Sequence, residues 1–163
     1  MKDFDEYGLK LCQYQGKLFS MSTEEVKCSS PIFLRRFMYS KAAKRMDGEG
    51  FLLEMTGQQD LMEEITTEFG ESNYGQTKYK KEELYWMGYI YRYWCYVYEI
   101  ASKKLYKMMK PEELRKLYYP YHSLDPAQVI ERIMEAKKLR EEDYTEKGVR
   151  LLREKSKRKN FSE

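Results

Sequence analysis

The stretch 82–98, EELYWMGYIYRYWCYVY, restricts what this chain can fold into more than any other. At helical spacing it carries one stripe of Leu84, Gly88, Tyr91, Cys95 and Tyr98 and a second of Trp86, Ile90, Tyr93 and Val97. Met87 and Trp94 fill between them. A helix apolar around most of its circumference belongs among other helices or inside a bilayer. Seventeen residues with Arg92 in the middle and six tyrosines are too polar for a bilayer. The sequence therefore predicts an all-α fold, a compact bundle built around this Tyr/Trp-rich rod. Its remaining strip, Tyr85, Tyr89, Arg92 and Tyr96, is a cationic line edged with phenols and is expected to face a macromolecular partner.

The flanking segments supply the rest of the bundle. Tyr7, Leu9, Leu11, Tyr14, Leu18 and Phe19 predict a first amphipathic helix, and Ser22-Thr23-Glu24-Glu25 has the spacing of a capping box that opens a short turn. Ser29 and Ser30 offer a cap ahead of Pro31, whose missing N–H costs nothing in a first turn, so 31–46 reads as one helix stopped at Gly48. Residues 51–55 fit either a brief extended piece or a helix entry. Gln58 to Phe69 is amphipathic and closed by Gly70, and 71–81 has the composition of a loop. Beyond Tyr98, Ser102 caps SKKLYKMMK, and Pro111 opens a short helix that Pro120 ends. Asp125-Pro126-Ala127-Gln128 caps a helix burying Val129, Ile130, Ile133 and Met134. Apolar residues thin beyond Arg140, which divides the chain into a helical domain over 1–140 and a charged extension over 141–163, helical or disordered.

The totals exclude several classes. The net charge of +3 is slight, although six of the ten residues from Arg150 to Lys159 are basic against one Glu. Such a local excess attracts phosphate or an acidic partner. No apolar run is long enough to span a membrane. Three cysteines without metal-ligand spacing, and an N-terminus without an apolar leader, fit a reducing, cytoplasmic setting. There is no Glu-x-x-His pair, Gly-rich phosphate loop or nucleophile elbow, so no metal and no cofactor is expected.

Three constellations carry chemistry. Arg115 and His122, the only histidine, stand with six residues between them, as in HEPN-type ribonucleases, where a guanidinium steadies phosphate charge and an imidazole moves the 2′-hydroxyl proton. Pro120 interrupts the span here, and Lys116 replaces the polar residue usual after the arginine. The second is a helix-turn-helix over 82–109, whose second helix presents Lys103, Lys104 and Lys107. With Arg153, Lys157 and Arg158 of the tail, these are candidates for nucleic-acid contact, although lysines read phosphates better than bases. The third is the density of 16 tyrosines. Tyrosine combines large area, few rotamers and a hydroxyl, which suits protein interfaces. Tyr118, Tyr119 and Tyr121, flanking Pro120, join the strip on the rod as candidate partner-binding residues.

The segments FLRRFMYSKAAKRMD (33–47) and 82–133, with ELYWMGYIYRYW and PYHSLDP inside it, resemble a group of small helical bacterial proteins encoded in toxin–antitoxin-type operons. The similarity covers about residues 30–135. It implies an antitoxin-like interaction protein that neutralises a cognate toxin by direct binding, with no catalytic residue. The ribonuclease and DNA-binding readings stand beside it as alternatives.

Overall fold

In the computed structural model, residues 1–161 are described, with side chains for 1–138 and 146–159; all regular structure among them is helical. The chain divides between Ser123 and Leu124. The first unit contains α1 (Glu6–Glu25), α2 (Ser30–Met38), α3 (Lys41–Asp47), a 3-10 turn (Phe51–Glu54), α4 (Gln58–Phe69), α5 (Lys81–Tyr98), α6 (Ser102–Met108), α7 (Pro111–Lys116) and α8 (Tyr118–Tyr121). The second is a single helix, α9 (Pro126–Phe161). The expected division at 140 thus falls inside a continuous helix. No helix among the described residues is long and apolar enough to cross a membrane.

Local chemistry accounts for most helix starts. Asp5 accepts from the Gly8 amide at 2.9 Å, Ser29 from Ile32 at 3.4 Å and Ser40 from Ala43 at 3.0 Å, each satisfying a donor that the first turn leaves free. The Ser40 cap splits the single helix expected over 31–46 into α2 and α3. Ser22 does the opposite. Its hydroxyl donates back to the Phe19 carbonyl at 2.6 Å within α1, which runs on to Glu25 without a new start. Pro120 also behaves differently from expectation, since it lies within the four residues of α8 instead of closing the helix before it.

The core of the first unit is layered around α5, with Leu84, Met87, Ile90, Tyr91 and Trp94 sequestered from solvent. Phe19 meets Phe33 and Phe37 edge to face at 5.8 and 5.1 Å, tying α1 to α2. The Tyr91 hydroxyl donates to the Met109 carbonyl at 2.6 Å, fixing the turn after α6 against the rod.

α1 and α5 lie side by side and antiparallel, with Gly8 against the Tyr96 ring and Gly16 against Tyr85. A Cβ at Gly88 would sit 2.6 Å from the Gln15 carbonyl oxygen and 3.0 Å from the Gly16 Cα, so three glycines set how closely the two backbones approach. That approach covers most of the strip expected to be exposed. Arg92 is the clearest correction: it is 1 % exposed and forms the hub of an internal polar network. Its Nε donates to Gln15 Oε1 at 2.8 Å, Nη1 to Asp47 Oδ1 at 2.7 Å and Nη2 to the Ser102 hydroxyl at 3.0 Å. Asp47 also accepts from the Ser102 amide at 2.9 Å and its hydroxyl at 2.6 Å. A buried guanidinium needs a counter-charge and hydrogen-bond acceptors, and this network supplies a carboxylate and one bond at each nitrogen while joining α1, α3, α5 and α6.

Candidate functional site

Aromatic surface remains at the N-terminal end of α5, where α7 and α8 pack beside it. The Glu83 carboxylate, buried, accepts the Lys80 amide at 3.1 Å, giving α5 an acid in its first turn. Its other oxygen faces Arg115 Nε at 3.3 Å, an ion pair at a geometry outside that of a hydrogen bond. The Arg115 guanidinium lies over the Tyr79 ring at 4.2 Å. Arg115 is thereby held between a carboxylate and a π-face.

α8 builds outward from this base. Trp86 of α5 meets Tyr118 edge to face at 5.8 Å, and Tyr118 meets Tyr119 at 5.4 Å in the same manner. His122 stacks on Tyr118, with centroids 4.6 Å apart and planes 18° from parallel. Its Nδ1 lies 2.8 Å from the Tyr118 carbonyl and 3.2 Å from that of Tyr119. Carbonyls only accept, so these contacts require the proton on Nδ1. Tyr119 is 65 % exposed, with its hydroxyl accepting from Lys80 Nζ at 3.2 Å. That bond raises the Lys80 pKa above its ordinary value. Tyr118 and Tyr121 are half-buried. The corner therefore has an anchored inner layer, Trp86 and Tyr118, and a projecting outer one, Tyr119 and His122.

Arg115 and His122 are both at this corner, yet each is bound to its own partners, and no contact joins them among those described.

On the rod itself, Tyr85 is 39 % exposed, Tyr89 and Tyr96 are half-buried, and Arg92 is interior. The Tyr96 hydroxyl donates to Asp5 Oδ1 at 2.6 Å, the oxygen that also caps α1. Burial, and then this bond, push the Tyr96 phenol up to about 12, while the bond holds the Asp5 carboxyl below its usual range. Tyr96 therefore acts between α1 and α5. Of the candidates for nucleic-acid contact, Lys103, Lys104 and Lys107 are exposed on α6, and Arg153, Lys157 and Arg158 are exposed on α9.

Two features escaped the sequence reading. A cleft of about 380 Å³ lies between the end of α1, α2, α4 and the loop after it, with Lys27, Arg36, Glu25 and Glu71 at its walls and Cys28 and Ile65 deeper. Leu53 of the 3-10 turn and Met55 just after it project into solvent, Met55 with φ 54°, a left-handed conformation uncommon for such a residue. Among the described residues no cluster of His, Cys, Asp and Glu could hold a metal ion. No family model, curated protein or solved structure matches the chain.

Proposed function

We propose that this chain is an interaction protein whose α8 corner docks on a cognate toxin protein, neutralising it as an antitoxin does. The observation that carries the reading is Tyr119, which projects into solvent from a base of packed aromatic rings. A rigid, largely exposed phenol on an ordered platform loses little conformational entropy on binding, and Tyr is favoured where binding energy concentrates. Lys80, which donates to the Tyr119 hydroxyl, presents a charge beside the ring for an acidic group on the partner. Tyr118 supports the ring from within, His122 stacks on Tyr118, and Tyr121 of the same short helix is half-buried. Among the strip on α5, Tyr85 is the member with the most open surface to contribute.

The test is co-expression with the product of the neighbouring gene, followed by size-exclusion chromatography and titration calorimetry. A stable complex is expected, weakened by Tyr119→Ala by about 2 kcal/mol, roughly 30-fold in Kd. Two proteins that elute apart, or a complex indifferent to Tyr119→Ala, would remove the reading.

A further inference from the structure

Carboxylates are missing from one part of this chain. Residues 26–46 contain six Lys and Arg and no Asp or Glu, and residues 100–111 contain four Lys and again no acid. The chain as a whole has 27 acids in 163 residues against 30 Lys and Arg. The fold brings the two acid-free segments together where the end of α2 packs on α6. There the Tyr39 and Tyr106 rings meet edge to face at 5.4 Å, both half-buried. Lys103 Nζ lies over Tyr39 at 5.3 Å, the Arg35 guanidinium is 5.9 Å from the same ring, and Lys110 Nζ lies over Tyr106 at 4.4 Å. Lys107 is exposed on α6 with Lys103, and Lys110 stands just beyond the end of that helix, ahead of α7.

This differs from an ordinary solvated face. Where α3 faces the acidic α4, opposite charges pair, and Arg45 reaches both Glu54 and Glu64. Around Tyr39 and Tyr106 the cations are set on aromatic rings instead; Glu112, in the first turn of α7, is the carboxylate whose field reaches Tyr106. Cations interleaved with aromatic rings suit a ligand that offers both phosphates and flat bases.

We propose that the face formed by α2 and α6 binds single-stranded nucleic acid, with Arg35, Lys103, Lys107 and Lys110 meeting phosphates and Tyr39 and Tyr106 stacking on bases. When a phosphate draws a lysine off its ring, the ring face opens to a base. A base–aromatic stack is stronger than a cation–π contact at an exposed site, so the exchange is favourable. A duplex fits less well. α6 has seven residues, a rise of roughly 10 Å, and presents lysines where base-edge readers present Arg, Asn or Gln. The site is separate from the α8 corner and does not depend on the toxin-binding reading.

The experiment is fluorescence anisotropy of the full chain with labelled oligo-uridylate and oligo-deoxythymidylate of about 15 nucleotides, across a salt series. Four phosphate contacts predict that log K falls with log salt at a slope of about −3. Lys103→Glu with Lys107→Glu, both at exposed positions, should weaken binding at least ~10-fold and flatten the slope by about 1 or more. Tyr39→Leu with Tyr106→Leu, checked for folding by circular dichroism, should weaken binding and leave the slope unchanged. Arg153→Ser, Lys157→Ser and Arg158→Ser together should leave affinity within about 2-fold if the tail is not the site. The proposal is overturned by no binding at low salt, or by loss in the tail variant with retention in the α6 charge reversal. Duplex binding as tight as single-strand binding overturns it too, as does equal competition by polyglutamate, which would mean unselective attraction for anions.

Discussion

The Arg92 network makes a prediction whose size follows from its geometry. In Asp47→Ala the guanidinium, 1 % exposed, loses its counter-charge and keeps only the neutral acceptors of Gln15 and Ser102. Leaving one member of a buried pair unpaired costs about 3–5 kcal/mol. The lost acceptor for the Ser102 amide, at the start of α6, adds roughly 1 kcal/mol. For a chain of this size each kcal/mol lowers Tm by about 2–4 °C, so the main term alone predicts a fall of about 6–20 °C. Asp47→Asn, which keeps the shape and an acceptor, should fall between wild type and Asp47→Ala. Arg92→Met removes the charge that needs a partner, and Asp47 then keeps both bonds from Ser102; its cost should be about 1–3 kcal/mol. The decisive measurement is the double variant by urea titration with circular dichroism. Adding Arg92→Met to Asp47→Ala should recover stability, because the stranded charge is gone, so the coupling should exceed the cost of about 1–3 kcal/mol that Arg92→Met carries alone. Strictly additive costs, or an Asp47→Ala variant within ~1 kcal/mol of wild type, would refute the claim that this charge pair holds the helices together.

Three further outcomes are expected. Gly88→Ala should cost about 1–3 kcal/mol, because its Cβ would meet backbone that cannot rotate away, whereas Gly148→Ala in open space on α9 should favour helix by about 1 kcal/mol; chemical denaturation and helix content separate the two. The thiols should resist iodoacetamide at pH 8 in the folded protein and all react in denaturant, since the three are buried and burial pushes Cys12 up to about 12 and Cys95 to about 11; fast labelling of the native chain, read by mass spectrometry, would contradict this burial. The Asp5–Tyr96 bond sets a pH window. The depressed Asp5 pKa contributes stability that is present above the ordinary value of 3.8 and is lost as pH falls through the folded value, while the raised Tyr96 pKa contributes below 10 and is lost as pH rises from 10 to about 12. Asp5→Asn should flatten the acid limb of a Tm-against-pH profile, and an unchanged limb would exclude this bond as its source.

Helix positions were readable because their causes are local. Pro31, Pro111 and the Asp125–Pro126 pair mark starts, Gly70 marks a stop, and the period of 82–98 marks the rod; each signal lies within a few residues of what it controls. Ser22 shows the limit of that logic. The same four-residue motif opens a helix only if the preceding chain is not already helical, and α1 is helical there, so its hydroxyl turns back to Phe19. Arg92 was misplaced for a different reason. Helical spacing gives the angle at which a side chain leaves the rod, but not the element that stands opposite. Gln15 and Asp47 are 77 and 45 residues away in sequence. One signal was nevertheless present: Gly8, Gly16 and Gly88 lie on helical segments that gain nothing from glycine unless another backbone comes close. A lone arginine in the middle of a nearly all-apolar helix should then be read with those glycines. Close approach by a second helix desolvates the charge, desolvation demands a carboxylate, and Asp47, the acid at the end of α3, supplies it. The tyrosines beside Arg92 are drawn inward by the same packing, whereas aromatic surface stays open on the short α8, where no glycine brings a second backbone close, as it does at Tyr74 in the loop before α5.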